Sequence, residues 1–223
     1  MTTAEMFREL CENVKLPLNN IQLISYKYGE VTSSLNNKFR GTDSKTANTL
    51  QVGSYGRRSA IKGISDLDMV YIMPASKWDK YRNNQSGLLT DTKTAITERY
   101  PRTTVKVDRL VVQVIYSNFM IEVQPVFEFD DGNFRYPDTY NGGSWKVTKP
   151  REEIQAMREF DDQKNNNLRR LCRMARAWKN KNGLAIGGLL IDTLVYNFFS
   201  KQVNMTKKAS HLMAFLAETF FHT

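Results

Sequence analysis

The chain has 223 residues, 41% of them hydrophobic and 25% charged, with a formal net charge of +9. This is the make-up of a folded protein with one large core or two small lobes, and it favours polyanionic partners: nucleotides, nucleic acid or an anionic membrane face. No apolar run is long enough to span a bilayer, and the opening MTTAEMFREL lacks the hydrophobic stretch of a secretory signal. Cys11 and Cys172 have neither CxxC spacing nor nearby histidines, which excludes a zinc site or a disulfide framework and points to reduced thiols in the cytoplasm. His211 and His222 are the only histidines and sit in no recognisable motif, so chemistry is expected from carboxylates and from Lys and Arg.

In chain order, Ile21, Ile24, Tyr28, Val31 and Leu35 recur at threes and fours, which predicts a long amphipathic helix over 19–39 with Asn19 or Asn20 as its N-cap. A glycine-bearing stretch, 52–63, leads to an apolar run over 66–73 that ends at Pro74 and reads as a buried strand. A helix is predicted over 86–100, then two strands over 109–116 and 120–129 with Ser117-Asn118 as a hairpin turn. Residues 130–150, rich in Asp, Gly, Asn and Pro, read as loop. Four helices follow, at about 151–162, 166–181, 189–202 and 207–220. The chain therefore divides into an α/β part, 1–150, and a helical part, 151–223, with a cleft expected between them.

Asp66 and Asp68 carry the first chemical signal. Residues two apart on a strand project from one face, and two such charges at roughly 4 Å repel by about 4 kcal/mol at an effective dielectric near 20. A divalent cation offsets that repulsion and gains hard oxygen ligands, magnesium being the expected ion where phosphates complete its shell. Alone, the pair is weak evidence, because most such pairs are turns or solvated faces. Upstream, Gly53 lets the backbone approach a phosphate and Ser54 adds a hydroxyl donor, with a helix opening after them drawing in the outer phosphates; the bland reading is a loop glycine. Glu122, inside the apolar run 121–127, is costly to bury unpaired. It titrates, pairs with a base, faces the aspartate pair, or lies on an edge strand facing water.

Together these pieces resemble the nucleotidyltransferase superfamily that includes DNA polymerase β, poly(A) polymerases, oligoadenylate synthase and cyclic GMP-AMP synthase. Within it the chain is similar to the bacterial CD-NTases, the cyclic-oligonucleotide synthases of CBASS anti-phage systems. Their pattern resembles GS-x-x-R-x-[ST]-A-I followed by S-D-x-D. Here the chain reads Gly53-Ser54-Tyr55-Gly56-Arg57-Arg58-Ser59-Ala60-Ile61 and then Ser65-Asp66-Leu67-Asp68. The run Glu122-Val123-x-Pro125-x-Phe127, the run Trp145-x-x-Thr148-x-Pro150 and the stretch from Arg173 to Trp178-Lys179 are also similar, over roughly residues 20 to 200.

The resemblance implies an α+β fold: a polymerase β-like nucleotidyltransferase lobe, with a mixed sheet flanked by helices and a long N-terminal helix, then a helical C-terminal lobe, with the active site in the cleft between. It implies Asp66, Asp68 and Glu122 as catalytic, metal-binding residues for two Mg2+ ions, with Mn2+ as a substitute. Gly53 and Ser54 would hold the outer phosphates of a nucleoside triphosphate, and a base beside Trp178, Arg176 or Lys179, would contact the triphosphate. Arg57 lies where it meets either incoming phosphates or an acidic neighbour. The expected reaction condenses nucleoside triphosphates into a cyclic di- or trinucleotide messenger for anti-phage signalling. A nucleic-acid partner is compatible but not required, and a regulatory protein partner is not identified.

Three departures stand out: Glu122 where relatives usually have Asp, Gly187-Gly188 where relatives often have a Ser opening the late helix, and a helical part shorter than theirs, as expected of a truncated or short member. The alternatives are a linear oligoadenylate-type or RNA-tailing transferase, which the +9 charge would serve, a catalytically impaired nucleotide-binding relative, and a small-molecule nucleotidylating enzyme. Trp145 reads as a loop anchor before it reads as a base-stacking ring.

Overall fold

A computed structural model describes residues 2–63 and 66–200; the helix expected at 207–220 and both histidines lie outside the described residues. Two compact units divide the chain. One comprises Leu18–Gly56 and Ser65–Glu152. The other is assembled from Met1–Pro17, Arg57–Ile64 and Glu153–Thr223. The single boundary read from the sequence at residue 150 thus meets an interleaved division, in which two early segments join the helical part.

The first unit is built on a seven-stranded mixed sheet. Its strands are β1 (Thr49–Gln51), β2 (Asp66–Ile72), β3 (Thr104–Asp108), β4 (Val111–Ile115), β5 (Met120–Glu128), β6 (Phe134–Asp138) and β7 (Ser144–Thr148). The order is β1-β2-β5-β4-β3, with β6 and β7 continuing from the far end of β5. Only β2 and β5 run parallel; the other pairs are antiparallel. Alternation sets one face: Leu67, Met69, Ile121, Val123, Val112 and Val114 are all buried, so this face carries the core. The long helix Leu18–Arg40, α2 in chain order, packs with α5 (Gln85–Arg99), which follows the one-turn helices α3 (Gly53–Gly56) and α4 (Trp78–Tyr81); α5 also packs on β3 to β6. Ile24, Tyr28, Val31 and Leu35 of α2 are buried as their spacing requires.

The loop reading of 130–150 is corrected. Its turn residues enclose two short antiparallel strands, β6 and β7, paired from Phe134–Thr148 to Asp138–Ser144. The N-cap expectation also shifts: α2 begins at Leu18, which places Asn19 and Asn20 inside its first turn. Trp145 on β7 takes the anchoring role, its Nε1 donating to the Arg82 carbonyl at 2.8 Å and its ring lying 4.9 Å from Trp78.

The second unit is helical. Besides α1 (Thr3–Asn13) it holds α6 (Pro150–Gln163) from Glu153 onward, α7 (Asn167–Lys181) and α8 (Gly188–Ser200). Leu10 and Val14 join Leu168, Leu171, Cys172 and Met174 of α7 and Ile191, Val195 and Phe199 of α8 in one apolar core. Val14 also accepts from the Lys62 backbone N–H at 2.9 Å, which ties the 57–64 segment into this unit. Among the described residues no helix is long and apolar enough to cross a membrane.

Candidate active site

Strand parity decides where the acids go. Leu67 and Met69 are committed to the core, so Asp66 and Asp68 occupy the opposite face of β2, the first exposed and the second half-buried. In the parallel β2–β5 ladder Asp68 is the register partner of Glu122, and Asp66 that of Met120. Glu122 in turn faces Gln113 across the β4–β5 ladder, and the Gln113 amide donates to its Oε1 at 3.0 Å. The three carboxylates named from the sequence thus share one sheet face on two adjacent strands, and the water-facing edge reading of Glu122 gives way to a half-buried position on a central strand.

Burial pushes the Glu122 carboxyl above its ordinary range; the Gln113 hydrogen bond opposes this, and the charges of Asp68, Asp66 and Asp108 reinforce it. The acids are therefore close enough to repel. That is the electrostatic condition a cation relieves. Among the described residues no three His, Cys, Asp or Glu side chains are grouped as the ligands of one ion. The donor chemistry still fits magnesium, which characteristically takes one or two carboxylates and completes its shell with water and substrate phosphates. Asp66 and Asp68 supply such a pair.

Gly53 opens a one-turn helix, α3 (Gly53–Gly56), that packs on β2. Its φ is +59°, and a Cβ at this position would overlap the Asp68 carboxylate. Only glycine satisfies both conditions. The Gly-Ser turn and the acid pair are consequently one piece of structure, also joined by the Val52 N–H donating to the Asp68 carbonyl at 3.1 Å.

In the helical unit the basic residues singled out from the sequence have a partner that the sequence reading missed. Asp192, buried at 1% exposure on α8, accepts from Arg57 Nε at 2.8 Å, from Ser59 Oγ at 2.7 Å, and from Arg176 Nε and Nη2 at 2.8 and 2.7 Å. Arg57 also pairs with Glu153. Of the two readings open for Arg57, the acidic neighbour is present. Burial works to raise the Asp192 carboxyl, but Arg176, Ser59 and Arg57 hold it below its ordinary range. Gly188 explains itself here: a Cβ on it would overlap the Arg176 guanidinium. Lys179, half-buried on α7, makes no ion pair among the described residues. The signal that could have found Asp192 was a lone carboxylate in the apolar run 189–199, the same signal that singled out Glu122.

Several solved structures share this fold. CdnG from Bradyrhizobium diazoefficiens, in complex with GTP, is 12% identical and matches with a TM-score of 0.70 over 99% of this chain and 75% of that one. CdnC from E. coli MS115-1, in its complex with HORMA-deltaN, is 15% identical with a TM-score of 0.68 over 92% of this chain. The CdnE cyclic dinucleotide synthase of Elizabethkingia meningoseptica, with GTP and Apcpp, is 16% identical with a TM-score of 0.65 over 99% and 83%. The chain spans 65% of the length of CdnC. Among curated proteins none matches. The family model for the Second Messenger Oligonucleotide or Dinucleotide Synthetase (SMODS) domain matches residues 1–161. With the acid pair, the third acid and the Gly-Ser turn set as described, the chain belongs to the SMODS family of nucleotidyltransferase-type enzymes.

Proposed function

We propose that the protein is a metal-dependent nucleotidyltransferase that condenses nucleoside triphosphates into a cyclic di- or trinucleotide messenger, serving anti-phage signalling. The observation that carries the reading is the register of Glu122 beside Asp68, two residues from Asp66, on the polar face of the sheet. Family membership and the fold shared with CdnC, CdnE and CdnG support it.

In the proposed reaction a ribose hydroxyl oxygen attacks the α-phosphorus of a bound triphosphate. The new O–P bond forms in line with the bond to the leaving pyrophosphate, and repetition followed by ring closure gives the cyclic product. Magnesium, held by Asp66 and Asp68 with Glu122 beside them, would neutralise phosphate charge and lower the pKa of the attacking hydroxyl. Gly53 lets the chain approach the outer phosphates and Ser54 donates to them. We assign the basic phosphate contact to Lys179 first, because Arg57 and Arg176 already share the Asp192 carboxylate. These two arginines contribute chiefly by fixing α8 and the 57–64 segment.

Mass spectrometry of products from the four nucleoside triphosphates with Mg2+, before and after phosphatase, tests the proposal. A phosphatase-resistant product is expected, because a ring has no terminal phosphate to lose. A phosphatase-sensitive product would replace the cyclic reading with the linear one. No product and no pyrophosphate release would leave a nucleotide-binding protein without transfer activity.

A further inference from the structure

A cavity of about 140 Å³ opens in the helical unit, lined by Cys11, Val14, Lys15, Arg169, Arg170 and Arg173. None of these is a residue assigned above to catalysis or to the nucleotide. Arg169 and Arg173 are one helical turn apart on α7, and Arg170 sits three residues before Arg173, so one face of the helix crowds three guanidiniums together. Such crowding is unfavourable unless an anion relieves it.

The anions present do not suffice. Glu12 is taken by Lys15 at 2.5 Å, and Asp161 by Arg169 at 3.2 Å. Arg170 reaches only the neutral Asn167 Oδ1, at 3.1 Å. Arg173 has no carboxylate partner among the described residues, and its buried Nε makes no hydrogen bond. Burial, and then the charge of Arg169, lower the Arg173 pKa from its ordinary value, and the nearby Asp161 charge offsets them only in part. An arginine held half-buried, beside its own kind and with an unused donor, is a group in want of an oxyanion.

We infer that this cavity is a binding site for one phosphoryl group, either a free phosphate ion or the terminal phosphate of a phosphomonoester. The size fits: a cavity of about 150 Å³ elsewhere admits a molecule as large as benzene, which leaves room for a single tetrahedral anion. The donor type fits as well, since guanidinium forks match phosphate oxygens in bidentate pairs.

The test is thermal denaturation and calorimetric titration with inorganic phosphate and, separately, glycerol 3-phosphate, against sodium chloride at matched ionic strength. Wild type should gain melting temperature with phosphate beyond the chloride control. Arg173→Gln should melt no lower than wild type without phosphate, since it removes a crowded charge, yet bind phosphate at least tenfold more weakly. Asp68→Asn should keep the full phosphate response, which separates this site from the proposed catalytic one. Binding of phosphate but not of glycerol 3-phosphate would assign the free ion; binding of both would assign the end of a larger molecule. No response beyond chloride, or equal phosphate affinity in Arg173→Gln, would overturn the inference.

Discussion

Replacing Asp192 should cost more stability than any other single polar substitution in the helical unit. Its carboxylate accepts four hydrogen bonds, three of them from guanidiniums, while lying at 1% exposure. The Arg57 and Arg176 side chains are themselves only 6% and 14% exposed, so solvent screens the interaction little. Asp192→Asn keeps the shape but leaves two buried cations, of which Arg57 alone keeps a carboxylate, that of Glu153. Breaking a buried pair of this kind costs about 3–5 kcal/mol. At about 2–4 °C per kcal/mol for a chain of this size, the melting temperature should fall by roughly 6–20 °C at pH 7. The gap has a pH signature. The folded Asp192 carboxyl titrates below its ordinary value of 3.8, so the stability it contributes is present above that pH and disappears as pH falls through the lowered folded value. Adding Arg176→Met to Asp192→Asn should recover part of the loss, because the uncompensated charge is then gone. Calorimetric melts of wild type and the two variants measure all of this. A fall below about 3 °C for Asp192→Asn at pH 7 would refute the assignment of Asp192 as the keystone of the unit.

Three further outcomes follow from the same geometry. Gly53→Ala should destabilise the protein by about 1–3 kcal/mol, the cost of a strained left-handed residue, and should lower product formation by at least tenfold, because its Cβ displaces the Asp68 carboxylate; chemical denaturation and product assays check the two effects separately. Glu122→Gln should abolish product yet raise the melting temperature at neutral pH. The folded Glu122 carboxyl titrates above its ordinary 4.5, so its ionisation opposes folding as pH rises through the raised value, and the advantage of Gln should vanish near pH 4. Gly188→Ala should push Arg176 from its seat over α8 and lower the melting temperature by roughly 2–8 °C, the equivalent of about 1–2 kcal/mol; no change would mean that the guanidinium moves without cost.

Much of the sheet unit was legible because its periodicities are clean. The threes and fours of α2 and the two-residue spacing of Asp66 and Asp68 each have one geometric consequence; the lone acid in β5 left several readings open, and the structure places all three acids on one face. The strands β6 and β7 were hidden because Pro137 sits inside β6 and Gly142 and Gly143 lie between the two strands, and their pairing is a tertiary fact. The first helix was announced by a capping box, Thr2 with Glu5, that the sequence reading passed over. The interleaved units could not be seen at all: Arg57 to Ile64 joins the late helices through long-range contacts such as Arg57 to Asp192, 135 residues away. Long-range ion pairs leave no periodic trace.

In the proposed reaction Asp66, Asp68 and Glu122 act together on a divalent cation. Electron paramagnetic resonance of Mn2+, titrated with the protein and a non-hydrolysable triphosphate analogue, reads this without relying on turnover. Wild type should remove free Mn2+ from solution beyond what the analogue binds by itself, and Asp68→Asn should weaken that uptake at least tenfold, equivalent to about 1.4 kcal/mol. Equal Mn2+ uptake by wild type, Asp68→Asn and Glu122→Gln would contradict it.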